Sequence, residues 1–237
     1  MNFNRKIILE DGREYYGYSF GNTDDKVCEI VFNTSMVGYQ EIISDPSYTY
    51  QAVVMTYPLI GNYGMADDDY ETKIPTIGAL IVKEYNNDPS NFRSSATLSE
   101  VMEKYNIAGI YGIDTRKLTR SIRDFGSRKV LITDVSTSLE KGLEILKNSE
   151  IPCDAVSKVS CNKIWVSHAD DEKYNVVAID CGMKMNIVRS LNNRGCKVTV
   201  APWNTTAEEI ERLNPDGIFI SNGPGDPTDV PQIIKTI

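Results

Sequence analysis

The sequence lacks several features that would assign it to large functional classes. None of its apolar runs approaches the roughly 20 residues that a membrane-spanning helix needs. Lysine and arginine number 25 against 33 aspartate and glutamate residues, and the formal net charge of -8 argues against a protein that binds nucleic acid. The start M-N-F-N-R-K leads straight into a short apolar strand and is no signal peptide. We therefore expect a cytoplasmic protein with neither a membrane nor a nucleic acid as its partner.

Patterns for binding metals and phosphates are also missing. Five cysteines are scattered along the chain without a C-x-x-C pair, and the single histidine, His168, completes no zinc set by its spacing. We expect free thiols and no metal site. No G-x-G-x-x-G opens a helix and no G-x-x-x-x-G-K occurs, so a flavodoxin-like nucleotide binder has little support. No cofactor is predicted for this chain.

The first 151 residues have the pattern of a mixed α+β domain. Short apolar segments separated by turn signals predict a small antiparallel sheet or barrel. The strand candidates are residues 6–9, 15–19, 28–33, 52–57 and 77–83. Helices interrupt these strands: a capping box at Thr97 and Glu100 opens one, and Asp114 caps another that ends at Gly126.

The second half of the chain has a different pattern of apolar residues. A third amphipathic segment at 138–148 leads into a polar stretch, 152–174, which we interpret as a linker. Beyond it, apolar strands alternate with helices, which predicts half of a doubly wound, flavodoxin-like sheet. The candidates are a strand at 175–180, a helix at 185–194, a strand at 197–202, a helix at 206–213 and a strand at 216–220. The overall class is α/β, with a first domain at 1–151 and an incomplete second domain at 175–237.

The stretch S-N-G-P-G-D-P at 221–227 follows the last of these strands. In such sheets ligands bind outside the carboxyl ends of the strands. Gly223 and Gly225 have no side chains, so a ligand can approach the main chain closely, and the two prolines stiffen the loop. Exposed N–H groups there could donate to a carboxylate or to an oxyanion that forms in acyl transfer. A tight loop without a ligand is the alternative.

These residues resemble a known family. The stretch "SNGPGDP" resembles the glycine loop of the class I (triad-type) glutamine amidotransferases. Three stretches of the first half, continued by "NPDGIFISNGPGDP" (214–227), are similar to the small chain of carbamoyl-phosphate synthase, and the similarity covers essentially the whole chain. The three are "FNTSMVGYQEIISDPSY" (32–48), "TYPLIGNYG" (56–64) and "GIDTRKLTR" (112–120).

The resemblance implies a glutaminase subunit that supplies ammonia from L-glutamine to a large chain, in a heterodimer. The large chain would make carbamoyl phosphate from bicarbonate and ATP for pyrimidine and arginine biosynthesis, and ATP and Mg are expected on that chain. The resemblance also implies that Ser47, Gly223 and Gly225 bind L-glutamine, with the backbone N–H of Gly223 in the oxyanion hole. Considered by itself, Ser47 is a turn residue after Asp45 and Pro46.

The catalytic cysteine of that family, in a G-x-C-x-G turn, and its later histidine and glutamate have no counterpart in these residues. We expect them beyond Ile237, so no catalytic residue is assigned, and the chain by itself is expected not to hydrolyse glutamine. Cys181 follows a strand, but Ile179 and Met183 flank it where a nucleophile turn needs small residues. The alternative function is a non-catalytic assembly or ligand-binding module that docks a partner subunit.

Basic residues crowd one predicted helix of this acidic chain. They are Arg116, Lys117, Arg120 and Arg123. Because arginine is enriched at protein interfaces, we interpret them as a docking surface for the large chain. A solvated helix face is the alternative.

Overall fold

A computed structural model describes residues 2–72 and 74–236 of the chain. Met1, Lys73 and Ile237 lie outside the described residues. The contacts divide the chain into two units, Met1–Ile151 (unit one) and Pro152–Ile237 (unit two), and each is described by itself. No helix within the described ranges is long and apolar enough to cross a membrane.

Unit one is built on a closed barrel of seven strands. The described part of unit one contains nine strands, of which seven form the barrel. They are β1 (Arg5–Leu9), β2 (Glu14–Gly21), β3 (Lys26–Asn33), β4 (Gln51–Met55), β5 (Leu59–Ile60), β6 (Ala79–Ile81), β7 (Glu84–Tyr85), β8 (Ala108–Tyr111) and β9 (Arg128–Asp134). The barrel order is β1-β2-β8-β6-β4-β3-β9, and β5 pairs separately with β7. Closure leaves none of the seven strands with an unpaired edge.

Of the two predicted arrangements, a small antiparallel sheet or a barrel, the barrel is confirmed, and the expectation of antiparallel pairing is wrong for part of it. Strand β4 runs parallel to both β3 and β6, and β6 runs parallel to β8. Parallel neighbours cannot be joined by a tight hairpin and need a longer crossover. The turn signals in the sequence mark where strands end but do not reveal which strands become neighbours. The assumption that consecutive strands pair as antiparallel hairpins therefore fails here.

Four helices accompany the barrel in the described part of unit one. They are α1 (Tyr39–Ile43), α2 (Leu98–Lys104), α3 (Thr115–Phe125) and α4 (Leu139–Asn148). The predicted capping box at α2 is confirmed: the Thr97 hydroxyl accepts from Glu100 N–H, and the Glu100 carboxylate accepts from Thr97 N–H at 2.8 Å. Asp114 caps α3 as predicted, and Gly126 follows its last residue with a φ of 83°.

One apolar cluster of unit one lies inside the barrel, where alternate residues of each strand point inward, and a second cluster includes residues of α1 and α2. Leu118 and Ile122 of α3 belong to the first of these clusters. On the outer face, Leu146 of α4 packs with Ile8 and Leu131. The fully buried strand residues of the interior include Ile7, Leu9, Ile30, Val54, Ile81, Ile110, Val130 and Ile132.

Unit two contains a four-stranded sheet with the order β10-β12-β11-β13. Its elements are α5 (Ala155–Val159), β10 (Trp165–Ser167), β11 (Tyr174–Asp180), α6 (Met185–Asn192), β12 (Cys196–Pro202), α7 (Ala207–Arg212), β13 (Gly217–Ile220) and α8 (Pro231–Thr236). Strand β11 is parallel to both β12 and β13, whereas β10 is antiparallel to β12. The carboxyl ends of the three parallel strands therefore meet at one edge of the sheet.

The interpretation of residues 152–174 as a linker is wrong, because this stretch belongs to unit two and carries α5 and β10. Trp165 pairs with Val200 of β12. The backbone N–H of Cys161 donates to Asp180 at 2.8 Å, and the Ser160 hydroxyl accepts from the N–H of Trp203 at 3.0 Å. These partners are distant in sequence, so the local polar composition gave no sign of them.

Candidate functional site

The glycine loop, residues 221–226, lies at the carboxyl edge of the sheet in unit two. It directly follows β13, and the neighbouring strand β11 ends at Asp180. Ile179 of β11 is the register partner of Ile220 of β13, so the loops that follow these two strands start side by side. This edge is where parallel α/β sheets bind ligands.

Gly223 is in close contact with the loop that follows β11. A Cβ atom built on Gly223 would lie 2.1 Å from the carbonyl oxygen of Cys181 and 2.9 Å from its Cβ. Real side chains do not make such contacts, so only glycine fits at this position. Gly225 is required for another reason, because its φ of 80° lies in the left-handed region. Pro224, between the two, is buried.

Two backbone amides of this loop, those of Gly223 and Gly225, are available as hydrogen-bond donors. Gly223 and Gly225 are both exposed. Their N–H groups donate to none of the residues that the structure describes. Two such donors in one loop form the kind of backbone site that binds a carboxylate or stabilises an oxyanion.

Ser221 connects the two loops at the sheet edge. Its hydroxyl accepts from the N–H of Cys181 at 2.9 Å and donates to the carbonyl of Asn222 at 2.8 Å. Its own N–H donates to the carbonyl of Ile179 at 3.1 Å. With 7% of its surface exposed, Ser221 is a buried polar residue whose hydrogen bonds are all internal.

Asp180 performs a similar role at the end of β11. One carboxylate oxygen accepts from the N–H groups of Gly182 and Met183 at 2.9 and 2.8 Å. The other oxygen accepts from the N–H of Cys161. One buried carboxylate thus holds the loop after β11 and the segment before β10 in place. Sequence analysis placed Asp180 and Ser221 correctly at strand ends but assigned neither a role.

Cys181 has the surroundings of an unreactive thiol. Only 6% of its surface is exposed. Burial raises the pKa of the Cys181 thiol, the Asp180 carboxylate acts in the same direction, and the hydrogen bond with Ser221 opposes them. Because the thiolate is the reactive form, a raised pKa makes Cys181 a poor nucleophile.

Ser47 lies in unit one, in a single 3-10 turn at Pro46–Tyr48. The Asp45 side chain caps this turn by accepting from the N–H of Ser47 at 3.0 Å. The Thr49 hydroxyl donates to the carbonyl of Pro46 at 2.7 Å. Ser47 is half-buried in this fixed turn. Gly223 and Gly225 share one loop of unit two, whereas Ser47 belongs to the other unit.

The four basic residues predicted as a docking surface are all exposed on α3. Arg116, Arg120 and Arg123 have i, i+4, i+7 spacing and therefore share one helix face. Arg123 pairs with Asp124 at 2.8 Å. The Nζ of Lys117 lies 5.8 Å from the centre of the Tyr15 ring.

Two further arginines adjoin α3, and sequence analysis missed both. Arg13 and Arg128 each donate to the hydroxyl of Ser121, and each pairs with Asp11, at 3.1 and 3.2 Å. They come from the β1–β2 connection and from β9. Their distance from α3 in the sequence left no local signal that could have revealed them.

Comparisons with known proteins identify two families along the chain. The family described as "Carbamoyl-phosphate synthase small chain, CPSase domain" matches residues 7–132, and "Glutamine amidotransferase class-I" matches residues 177–237. The second match includes the glycine loop and the end of β11.

Relatives among the curated proteins match over nearly the whole chain. The carbamoyl phosphate synthase small chain of Staphylococcus haemolyticus (strain JCSC1435) is 52% identical over 98% of this chain and 63% of its own length. The small chain of Fusobacterium nucleatum subsp. nucleatum is 50% identical over 99% of this chain and 65% of its own. The pyrimidine-specific small chain of Bacillus subtilis (strain 168) is 48% identical over 98% and 64%. The chain spans less than two thirds of the length of these relatives, and it belongs to the carbamoyl-phosphate synthase small chain family.

Proposed function

We propose that this protein is the glutamine-hydrolysing subunit of a carbamoyl-phosphate synthase and that it supplies ammonia from L-glutamine to a large chain. Membership of the small chain family supports this proposal. The observation that carries it furthest is the glycine loop, in which two exposed amides without partners among the described residues stand at the ligand-binding edge of a parallel sheet. Amide hydrolysis needs such donors, because negative charge develops on the carbonyl oxygen during attack.

Within this proposal, Ser47, Gly223 and Gly225 bind L-glutamine. The N–H of Gly223 donates to the oxyanion, and the hydroxyl of Ser47 acts as a donor or acceptor for a polar group of the substrate. Its capped turn limits the positions that this hydroxyl can occupy. We further propose that the sheet of unit two is part of a doubly wound amidotransferase domain.

The nucleophile is proposed to lie outside residues 1–237. The reason is that Cys181, which follows β11, is buried and has a raised pKa. Residues 1–237 alone should therefore release no ammonia from glutamine, and Cys181→Ala should leave the turnover of the complete subunit unchanged. Loss of turnover in that variant would contradict this assignment.

The partner in this proposal is a large chain that binds ATP and Mg and joins this subunit in a heterodimer. The product would serve pyrimidine and arginine biosynthesis in the cytoplasm. The name of the Bacillus subtilis relative supports the pyrimidine part. The docking surface on this subunit is the exposed basic face of α3.

Glutamine-dependent ammonia release is the assay that tests the function. It is measured for the complete subunit, alone and with the large chain, in the presence of bicarbonate and ATP. A subunit that binds the large chain tightly but releases no ammonia would have the alternative role of an assembly module, and this result would refute the proposal.

Charge reversal tests the docking surface. Arg120→Glu with Arg123→Glu should weaken binding to the large chain by at least tenfold in a titration, since it places acidic groups on an interface built for basic ones. The matched control is Lys141→Glu with Lys147→Glu on α4, which changes two exposed basic residues of the same unit. Unchanged affinity in the α3 variant, or an equal loss in the α4 variant, would contradict docking through α3.

A further inference from the structure

We infer that Ser221 and Asp180 are positioning residues for the Gly223 amide, because they fix the place and direction of its N–H before any substrate binds. This inference rests on the proposed function, in which that N–H donates to an oxyanion. Neither residue is assigned a contact with the substrate. Both are buried at the carboxyl edge of the sheet, one at the end of each of two neighbouring strands.

Ser221 holds the glycine loop against the loop that follows β11. Its hydroxyl receives the N–H of Cys181 and donates to the carbonyl of Asn222, the residue that precedes Gly223. The Asn222 carbonyl belongs to the same peptide group as the Gly223 N–H. Because that peptide group is planar, a hydrogen bond to its oxygen also fixes the direction of its N–H.

Asp180 fixes the surface on which Gly223 lies. The carbonyl of Cys181 is the atom that a Cβ on Gly223 would strike, so the position of Gly223 depends on that carbonyl. The Asp180 carboxylate accepts from Gly182 and Met183, the two N–H groups after Cys181, and from Cys161. Asparagine at 180 would place an NH2 group against one of these donors and would leave it without an acceptor.

Loss of the Ser221 hydroxyl or of the Asp180 carboxylate should displace the oxyanion donor without removing it. Complete loss of one such donor lowers kcat by about 10²–10³-fold. A displaced donor keeps part of its effect, so we expect Ser221→Ala and Asp180→Asn to lower kcat for glutamine hydrolysis by roughly 10- to 100-fold. The KM for glutamine should change less, since the substrate also contacts Ser47 and Gly225 in the proposed site.

Ser160, which follows α5, provides a matched control within the same unit. Its hydroxyl also accepts one backbone N–H, that of Trp203, at 3.0 Å, and donates to the carbonyl of the next residue, Cys161, at 3.4 Å. Ser160 is 8% exposed against 7% for Ser221. Ser160→Ala therefore removes an equivalent hydroxyl and should lower the free energy of unfolding by a similar amount. It removes no hydrogen bond to the glycine loop.

The position of the Gly223 amide can be read directly in the 237-residue chain. Asn222–Gly223 is the only Asn-Gly pair in the sequence. Labelling with ¹³C′-asparagine and ¹⁵N-glycine therefore gives a single N–CO correlated NMR signal, which belongs to Gly223. Without ligand, this signal should move by several linewidths in Ser221→Ala and in Asp180→Asn, and it should stay close to its wild-type place in Ser160→Ala.

Two measurements together decide the inference. A Gly223 signal at the wild-type position in Ser221→Ala, an equal displacement in Ser160→Ala, or an unchanged kcat in the complete subunit with its large chain would each overturn it. Failure of the proposed function is a separate outcome, namely no glutamine-dependent ammonia release by the wild-type complex. In that case the ligand-free signal still reports whether Ser221 and Asp180 position the amide.

Discussion

A methyl group at position 223 has no room in this structure. On the ideal backbone its carbon would lie 2.1 Å from the carbonyl oxygen of Cys181, where side-chain contacts below 3.0 Å are essentially never found. Gly223→Ala therefore forces one of the two loops to move by about 0.9 Å or more, the difference between 3.0 and 2.1 Å. The atom it meets is backbone, held by the hydrogen bonds of Ser221 and Asp180, and cannot rotate away.

The displacement has two consequences of different size. Overpacking of this kind costs about 1–3 kcal/mol of unfolding free energy. A shift of roughly 1 Å takes the Gly223 N–H out of reach of the oxyanion, and loss of such a donor lowers kcat by about 10²–10³-fold. The control is Gly217→Ala on β13, where an added Cβ meets no atom within 4 Å. Gly217→Ala should change the stability by less than about 1 kcal/mol and leave kcat near that of the wild type.

Both quantities can be measured. The chain's tryptophans, Trp165 and Trp203, lie in unit two, so urea denaturation followed by tryptophan fluorescence reports on the stability of the unit that contains the substitution. Turnover is measured as glutamine-dependent ammonia release by the complete subunit with its large chain. If Gly223→Ala retains kcat within about threefold of the wild type, the N–H of Gly223 is no oxyanion donor. If it retains full stability, the close packing against Cys181 is refuted.

Three further predictions concern protonation and helix capping. Burial and the neighbouring Asp180 carboxylate raise the pKa of the Cys161 thiol to about 11 from 9.0. Because this lowers the fraction of reactive thiolate at pH 8, alkylation of Cys161, followed by mass spectrometry, should be about 100-fold slower than that of an ordinary thiol. The rate should rise about tenfold per pH unit up to pH 10, and a plateau near pH 9 would contradict the shift. Thr206→Ala removes the capping box of α7, in which the Thr206 hydroxyl accepts from Glu209 N–H, and should lower the stability of unit two by about 1 kcal/mol in urea; no loss would contradict the cap. Hydrogen bonds from the N–H and hydroxyl of Thr228 lower the pKa of Asp226 from 3.8, so the stabilisation is present above pH 3.8 and is lost as the pH falls through the lowered value. In Thr228→Val the carboxyl ¹³C titration of Asp226 should move upward toward 3.8, and an unmoved midpoint would refute the role of the hydroxyl.

Local structure was predictable wherever its cause was local. The capping box of Thr97 and Glu100 and the cap at Asp114 depend on residues three apart, and both formed as predicted. The strand before the glycine loop was equally visible, because a short apolar segment ended by glycine and proline is typical of a buried strand. These features need no knowledge of the rest of the chain.

Features with distant causes were not predictable. The parallel pairing of β4 with β6 depends on which strands the barrel brings together, and turn signals carry no such information. Residues 160 and 161 read as a polar linker because their partners, Trp203 and Asp180, lie 43 and 19 positions away. The contact of Gly223 with Cys181 likewise joins residues far apart in sequence, so the motif revealed the glycine but not its neighbour.

Four residues of the glycine loop are each required at their position for a different physical reason. Ser221 supplies the hydroxyl that joins two loops, Gly223 permits close contact with Cys181, and Gly225 adopts a φ of 80°. Asp226 then caps the turn that leads into α8. Only the first two of these reasons involve the loop after β11, through the backbone N–H and carbonyl of Cys181, so a shift of that backbone should affect positions 221 and 223 and leave 225 and 226 undisturbed. The hydrogen bonds of Ser221 and the close packing of Gly223 thus hold this part of the loop against the loop that follows β11.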